Sequence, residues 1–468
     1  MKLKFFPIEK NGICTKHGVK KYREKFMQDG NNHLFGKAFG NEIGLSNNKS
    51  FSNRSNNVLV VGGTGTGKTY NYIASNLLQE NHSAVVVDNA GVLYAKYGEY
   101  LRKKGHNVYY IDFDNPEISC RFNPFLNHTE STERREAAID IFVNSFAYAC
   151  KNNKELPQEE HDIYIEILTL IFGYALYSPL LSDKQRNFKR VQMIADELQQ
   201  FGKNTVEKYK CDNLLDKAIQ ILKSAPDDVF NRAVVTILND LNIFAINPSI
   251  DPDETIFTEN ENAINLSIEE FVSKQSYLFI KTTPQGDNRV SFFLPQIFNC
   301  LRFYGEEHPS EQGKAMLKNH IQFYLDEFAN LNFGNFTFAI SVCRPYNIGF
   351  SVIVNSLEQL VHKYKENDEW EIIHANTDTK LFTGNLVHLD KIEHIIGKRL
   401  FYGNGKPVEY GFSKASVGIL GIPPMTEKPI LNVEEIRKIF SENKQIVIIR
   451  DCYPIICDKL NPVDYENK

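Results

Sequence analysis

Two short runs in this 468-residue chain hold the residue types that phosphate chemistry requires. The first, GGTGTGKT, comprises Gly62, Gly63, Thr64, Gly65, Thr66, Gly67, Lys68 and Thr69. It fits G-x-x-x-x-G-K-[ST], in which glycines let consecutive backbone N–H groups close on a phosphate at a helix N-terminus. In that reading Lys68 reaches the β and γ oxygens of ATP, and the Thr69 hydroxyl joins the shell of a Mg2+ ion. Apolar VLVV stands before the run and YNYIASNLL, with helical character, after it, as the motif demands. The plainer alternative is a glycine-rich turn that binds nothing.

The second run, IQFYLDEF, drives a strand-like apolar stretch into Asp326 and Glu327. Asp326 suits the Mg2+ shell, and Glu327 suits the task of orienting and deprotonating an attacking water. Alone, such a pair can simply cap a helix. Beside the first run it points to hydrolysis rather than to phosphoryl transfer, because no acceptor pocket is evident in the sequence.

The elements that must position these groups are legible as alternation. Apolar runs at VLVV (58), SAVVVD (83), NVYYID (107), SYLFIK (276), IQFYLD (321), FSVIV (350), TKLFT (379) and QIVIIR (445) are separated by helical patterns. Such spacing predicts an α/β fold with a mostly parallel sheet covered by helices on both faces. Between Phe125 and about Pro252 the strands stop, and REAAIDIFVNSFAYA, HDIYIEILTLIFGYAL, RVQMIADELQQF, LLDKAIQILKS and RAVVTILNDLNIF follow. Their apolar residues recur at helical spacing, which predicts an inserted all-α domain. The expected organisation is an N-terminal appendage and linker over 1–55, a nucleotide-binding domain over 56–125 and 253–468, and the helical insert over 126–252. Nine of the twelve residues from Ser46 to Asn57 are Ser or Asn, the composition of a connector. The acidic DPDETIFTENEN from Asp251 reads as the solvated return linker.

Composition narrows the class. With 42% hydrophobic and 24% charged residues and a net charge of −5, no global positive field draws nucleic acid or anionic lipid to the surface, so such partners must be met locally. The eight cysteines show no Cys-x-x-Cys and no zinc-ligand spacing, which fits a reducing cytoplasm. MKLKFFPIEKNG lacks the apolar core of a signal peptide, and ILTLIFGYALYSPLL is too short and too interrupted to span a bilayer. Lys184, Arg186, Lys189 and Arg190 read as a solvated helix face rather than as phosphate contacts.

At this level of detail the chain resembles the TraG/TraD-type coupling ATPases of conjugative type IV secretion systems. The likeness extends from about Asn56 to Tyr453. It is carried by NVLVVGGTGTGKTYNYIASNLLQ, VVVDNAGVLYAKYGEYLRKKGHNVYYID, RFNPF, FYLDEFANL, CRPYNIGFSVIVNSLEQL and HANTDTKLFTGN, in that order. The resemblance implies a P-loop NTPase fold, with Arg344 as an arginine finger reaching a neighbouring subunit's γ-phosphate. The sensor position, usually Gln in the family, holds Asn355. Where many relatives have Asp-Pro-Lys-Gly-Glu, this chain has Asp88, Asn89, Ala90, Gly91 and Val92, a loop given no role beyond a turn.

The resemblance further implies a homo-hexameric ring with nucleotide at each interface, which passes single-stranded DNA and its attached relaxase towards type IV secretion channel components. Many relatives carry transmembrane helices at the N-terminus, where this chain has about 55 soluble residues. That implies either an anchorless protein held on the inner face of the cell membrane by a membrane-anchor partner, or a truncated form. KHGVKKYREKF from Lys16 resembles the stretch that follows the membrane region. Two other readings compete: a docking module that binds nucleotide with little turnover, and a related ring-shaped DNA translocase for partition or repair.

Overall fold

Short apolar runs that alternate with helices can bury both strand faces only if the strands lie side by side in a covered sheet. The computed structural model describes residues 9–28, 30–48, 51, 54–126, 134–150, 156–242, 244, 264–283, 285–310, 313–365, 368–402 and 425–466. All eight predicted runs are strands. The chain divides into two units, one drawing on residues 1–82 and 349–468 and the other on 83–348. The predicted return linker at 251–262 lies outside the described residues.

In the first unit, Val58–Val61 is the pivot. It pairs in parallel with Ser351–Val354 on one side and Thr379–Phe382 on the other, and all four of its side chains are buried. Beyond Thr379–Phe382 the direction reverses. Lys444–Ile449 pairs with it antiparallel, then Ile455–Asp458, then the hairpin Asn32–Ala38 and Asn41–Ser46. The QIVIIR run therefore forms an antiparallel strand, because a continuous apolar run reports burial on two faces and not the direction of the neighbour.

The sequence also gives no hint that residues 32–46, expected to be part of an appendage, supply strands to this sheet. Their hairpin turns at Phe39 and Gly40, both with positive φ (51° and 75°), the geometry of a tight two-residue turn. A polar tie secures the hairpin to the segment after the glycine-rich run. The Leu34 N–H donates to Asn76 Oδ1 (2.8 Å), and Asn76 Nδ2 donates back to the Leu34 carbonyl (2.9 Å). Tyr72 OH lies 2.8 Å from both His33 Nε2 and Ser351 Oγ.

Among the described residues the second unit has four strands, all parallel, in the order Ile321–Leu325, Ser83–Asn89, Ser276–Thr282, Asn107–Ile111. Its helical segment contains Arg135–Ala149, Gln158–Tyr177, Phe188–Phe201, Asp216–Ser224 and Asp227–Leu241, each where the 3.6-residue period places it. The apolar run near Ile167 forms the buried part of Gln158–Tyr177, and among the described residues no helix is long and apolar enough to cross a membrane.

Phenylalanines explain how these helices cohere. Phe172 lies 5.4–6.2 Å, centroid to centroid, from Phe125, Phe142, Phe146 and Phe188, and Phe292 of helix Asn288–Glu307 reaches Phe142, Phe188 and Phe244 at 5.3–5.9 Å. Arg186, grouped above with a solvated basic face, instead donates to the carbonyls of Ala175, Leu176, Ser178 and Leu181. It satisfies orphan acceptors at a helix C-terminus, where a cation is favoured. All eight cysteines are free.

Truncating a fully buried phenylalanine removes its transfer energy and leaves a cavity. Phe172→Ala should therefore destabilise the second unit by about 3–5 kcal/mol, read as a lower urea midpoint by far-UV circular dichroism.

Candidate phosphate-binding site

The register of the first unit decides which loops meet. Val61 stands opposite Val354 on one side and Phe382 on the other. The next residue of each strand, Gly62, Asn355 and Thr383, therefore leaves the sheet at the same carboxyl edge, where ligands of open α/β sheets bind. The Gly62 N–H donates to the Val354 carbonyl (3.2 Å), the Thr383 N–H to the Val61 carbonyl (2.9 Å) and the Gly63 N–H to the Gly384 carbonyl (3.0 Å).

Lys68 is folded into this edge, with only 7% of its surface exposed. Its Nζ donates to the carbonyls of Gly62 (2.5 Å) and Gly63 (3.1 Å) and to Asn355 Oδ1 (2.7 Å). Asn355 and Lys68, 287 residues apart in sequence, are thus in direct contact. The shorter side chain at the sensor position reaches the lysine.

The glycines are needed for two different reasons. A Cβ at Gly62 would lie 1.8 Å from Thr383 Oγ1, and one at Gly63 would lie 2.2 Å from the Asn385 carbonyl oxygen. Gly65 and Gly67 adopt φ of 78° and 88°, a backbone region that side chains disfavour. Gly67 leads into Lys68–Ala74, wound as a wide π turn before Ser75–Leu77 continues as α-helix. The helix expected after the loop is present, but its winding is not encoded in the hydrophobic period.

Three residues that sequence reasoning did not single out complete the loop's wall. Thr66 Oγ1 lies 2.9 Å from Thr383 Oγ1 and donates to the Gly63 carbonyl (2.9 Å), Asn385 Nδ2 donates to the Thr64 carbonyl (3.3 Å), and Gly384 accepts from Gly63. The three end HANTDTKLFTGN, a run that carries the family resemblance, but their individual roles mean little until the strand is known to neighbour Val58–Val61.

In the second unit, Val87 stands opposite Leu325, so Asp88 and Asp326 follow side by side at the carboxyl ends of adjacent strands. Both are buried. Asp88 accepts from the N–H groups of Leu93 (3.0 Å) and Tyr94 (2.8 Å), capping helix Val92–Lys103. Burial, with a smaller contribution from the charge of Asp326, pushes its carboxyl up to about 6 against those hydrogen bonds. Asp88, still within its strand, thus fixes a helix start beside Asp326.

Glu327 has φ 49° and ψ 41°, left-handed geometry for a residue with a side chain, and its N–H donates to Asp326 Oδ1 (3.0 Å). Such strain concentrates at functional positions. Arg344 opens the turn Arg344–Tyr346, exposed, its guanidinium without an ion-pair partner among the described residues. The structure thus groups Lys68 with the glycines and Asn355 in one unit, and Asp326 and Glu327 in the other, which also contains Arg344.

The family model described as type IV secretory system conjugative DNA transfer matches residues 7–461. The chain belongs to that family. Among solved structures, the conjugative DNA transfer fold recurs in the bacterial conjugative coupling protein TrwBdeltaN70, at 13% identity with a TM-score of 0.61, covering 96% of this chain and 92% of that one. TrwB in complex with the GTP analogue GDPNP matches at 14% identity and TM-score 0.61, covering 96% and 93%. VirB4 of Thermoanaerobacter pseudethanolicus matches at 13% identity and TM-score 0.51, covering 94% and 99%. The search of curated proteins found no match. These likenesses establish a P-loop NTPase fold for this member of the conjugative DNA transfer family.

The close approach at Gly62 yields a direct test. Gly62→Ala should weaken ATP binding by about 5- to 150-fold through overpacking worth roughly 1–3 kcal/mol. Adding Thr383→Ala should recover part of the loss, as isothermal titration calorimetry would show. Equal losses in the single and double variants would mean that the two positions do not press on one another.

Proposed function

We propose that this coupling protein hydrolyses ATP to move DNA into a type IV secretion channel. The observation that carries the reading is the Lys68 ammonium, held at the carboxyl edge of three parallel strands by loop carbonyls and Asn355. A cation already desolvated beside a cradle of backbone N–H groups is suited to bind the β and γ phosphates, exchanging carbonyl partners for phosphate oxygens. The residues fit nucleotide: Gly65 is open around its Cβ direction, and Gly62 and Gly63 lie against their neighbours without side chains. TrwB has been solved in complex with GDPNP, with ADPNP, and with ADP and Mg2+. This supports the same ligands here.

In this reading Thr69 and Asp326 would hold Mg2+, which would neutralise phosphate charge when bound. Glu327 takes the proton of the attacking water, Asn355 fixes Lys68, and Arg344 from one subunit stabilises transition-state charge in the next. An exposed arginine suits a role in trans, which makes turnover depend on assembly of a homo-hexamer. The family supports a type IV secretion partner. Single-stranded DNA with its relaxase is the proposed cargo, and the inner face of the cell membrane, through an anchoring protein, the proposed location. The helical segment between Arg135 and Leu241 is proposed as an inserted domain that selects substrate.

Lys68→Ala should abolish ATP binding. Glu327→Gln should retain it while turnover drops by about 10²–10⁴; normal turnover in Glu327→Gln would sink the assignment of the base. Arg344→Ala should bind ATP normally and lose the rise of turnover with protein concentration and single-stranded DNA. Lost binding instead would place the arginine in its own subunit's pocket.

A further inference from the structure

With a net charge of −5 the chain must meet nucleic acid where positive charge is concentrated locally, and helix Lys16–Phe26 is such a place. We infer that this helix and the hairpin tip at Phe39 form a binding site for single-stranded DNA, with phosphates on Lys16, Lys20 and Arg23 and a base on Phe39. The inference rests on DNA as the cargo proposed above and adds a place where this chain grips it.

Packing decides which face of the helix is free. Thr15 caps the helix by accepting from the Gly18 N–H (3.3 Å), and Gly18, Val19 and Tyr22 are buried. Tyr22 OH donates to the Gly44 carbonyl (2.7 Å), which ties the apolar face to strand Asn41–Ser46. Lys16, Lys20, Lys21, Glu24 and Lys25 are exposed, and Arg23 is half-buried. The helix thus carries five Lys or Arg residues against one Glu. Among the described residues no carboxylate pairs with Lys16, Lys20 or Arg23, so internal ion pairs do not consume this charge.

The charge lines a cavity of about 720 Å³, where Lys16, His17, Lys20 and Arg23 meet Met27 of the same chain segment and Asn41 of the hairpin. Lys16 and Lys20 are about one helical turn apart, ~6 Å of rise, and Arg23 stands nearly a turn further on. Cations repeated at that interval on one face suit the repeating phosphates of a strand better than a single anion. Glu24 also lines the cavity and repels such a ligand, which makes it a probe of the site.

Phe39 supplies a second, independent feature. It takes the first position of the two-residue turn with φ 51°, where Asn, Asp or Gly is the usual choice, and leaves 54% of its surface exposed. A bulky side chain that adopts left-handed backbone and buries little has no packing reason to be there, and such strain concentrates at functional positions. Asn41 links it to the basic groups. Asn41 Nδ2 donates to the Phe39 carbonyl (3.1 Å), and Asn41 Oδ1 accepts from Arg23 Nη1 (2.7 Å).

A basic groove beside an exposed aromatic is the combination that holds single strands without sequence preference. A duplex keeps its base faces stacked inside. A bilayer would require an apolar helix face, which here is spent on the hairpin.

The test is fluorescence anisotropy of a labelled thymidine homopolymer, without nucleotide, with wild type, Phe39→Asn, Glu24→Gln and the double variant Lys16→Ala with Lys20→Ala. Labelled duplex DNA and vesicles of phosphatidylglycerol and phosphatidylcholine serve as competing ligands. Phe39→Asn supplies a residue that the turn favours, so the hairpin is kept. It should weaken single-strand binding by about 5- to 150-fold, the scale of one lost base stack. The double lysine variant should weaken it as well and make its salt slope shallower by about 1.4, at roughly 0.7 for each lost phosphate contact, while Glu24→Gln should tighten it. Duplex should bind wild type more weakly than the single strand and be indifferent to Phe39. Unchanged single-strand affinity in Phe39→Asn, or a lysine variant that loses vesicles and keeps the single strand, overturns the site. Wild type that binds no single strand removes DNA as the cargo and the site with it; wild type that binds it no better than all three variants leaves the cargo and removes only the site.

Discussion

A single buried ammonium imposes the central constraint. Lys68 is almost wholly removed from water, and a charge in that position is tolerated only if hydrogen-bond acceptors surround it. The acceptors come from Gly62 and Gly63 and from Asn355, far away in sequence. They converge because three parallel strands end in register, so the register of Val58–Val61 with its neighbours is as much part of the site as the lysine is. A one-residue slip of Ser351–Val354 would turn Asn355 to the other side of the sheet.

The same edge explains why loops without recognisable chemistry matter. Thr383 presses on Gly62, Gly384 accepts from Gly63, and Asn385 reaches Thr64. Together they hold a glycine-rich segment in one shape despite its conformational freedom, and preorganised donors lose less entropy when a phosphate arrives. In the second unit Asp88 performs a comparable service, starting a helix beside Asp326. Both arrangements belong to a member of the conjugative DNA transfer family.

Prediction succeeded where period and residue type carry the information. The eight apolar runs became strands and the amphipathic runs between Arg135 and Leu241 became helices, because burying an apolar face has few geometric solutions. It failed where the information is relational. The antiparallel course of Lys444–Ile449 and the sheet strands at 32–46 depend on partners that no local window contains. Arg186 looked like surface charge because its four carbonyl partners are backbone groups, invisible in residue type.

By itself the sequence determined the fold class and singled out the glycine-rich run and the acidic pair as candidates, since glycine spacing and a lysine at a strand-to-helix turn suit phosphate chemistry. Tertiary structure alone decided that Asn355 touches Lys68 and that Thr383 and Asn385 brace the loop. These contacts span roughly 300 positions of sequence. Only strand order and register bring such positions together, and both are settled by the packing of the whole sheet rather than by any segment of it.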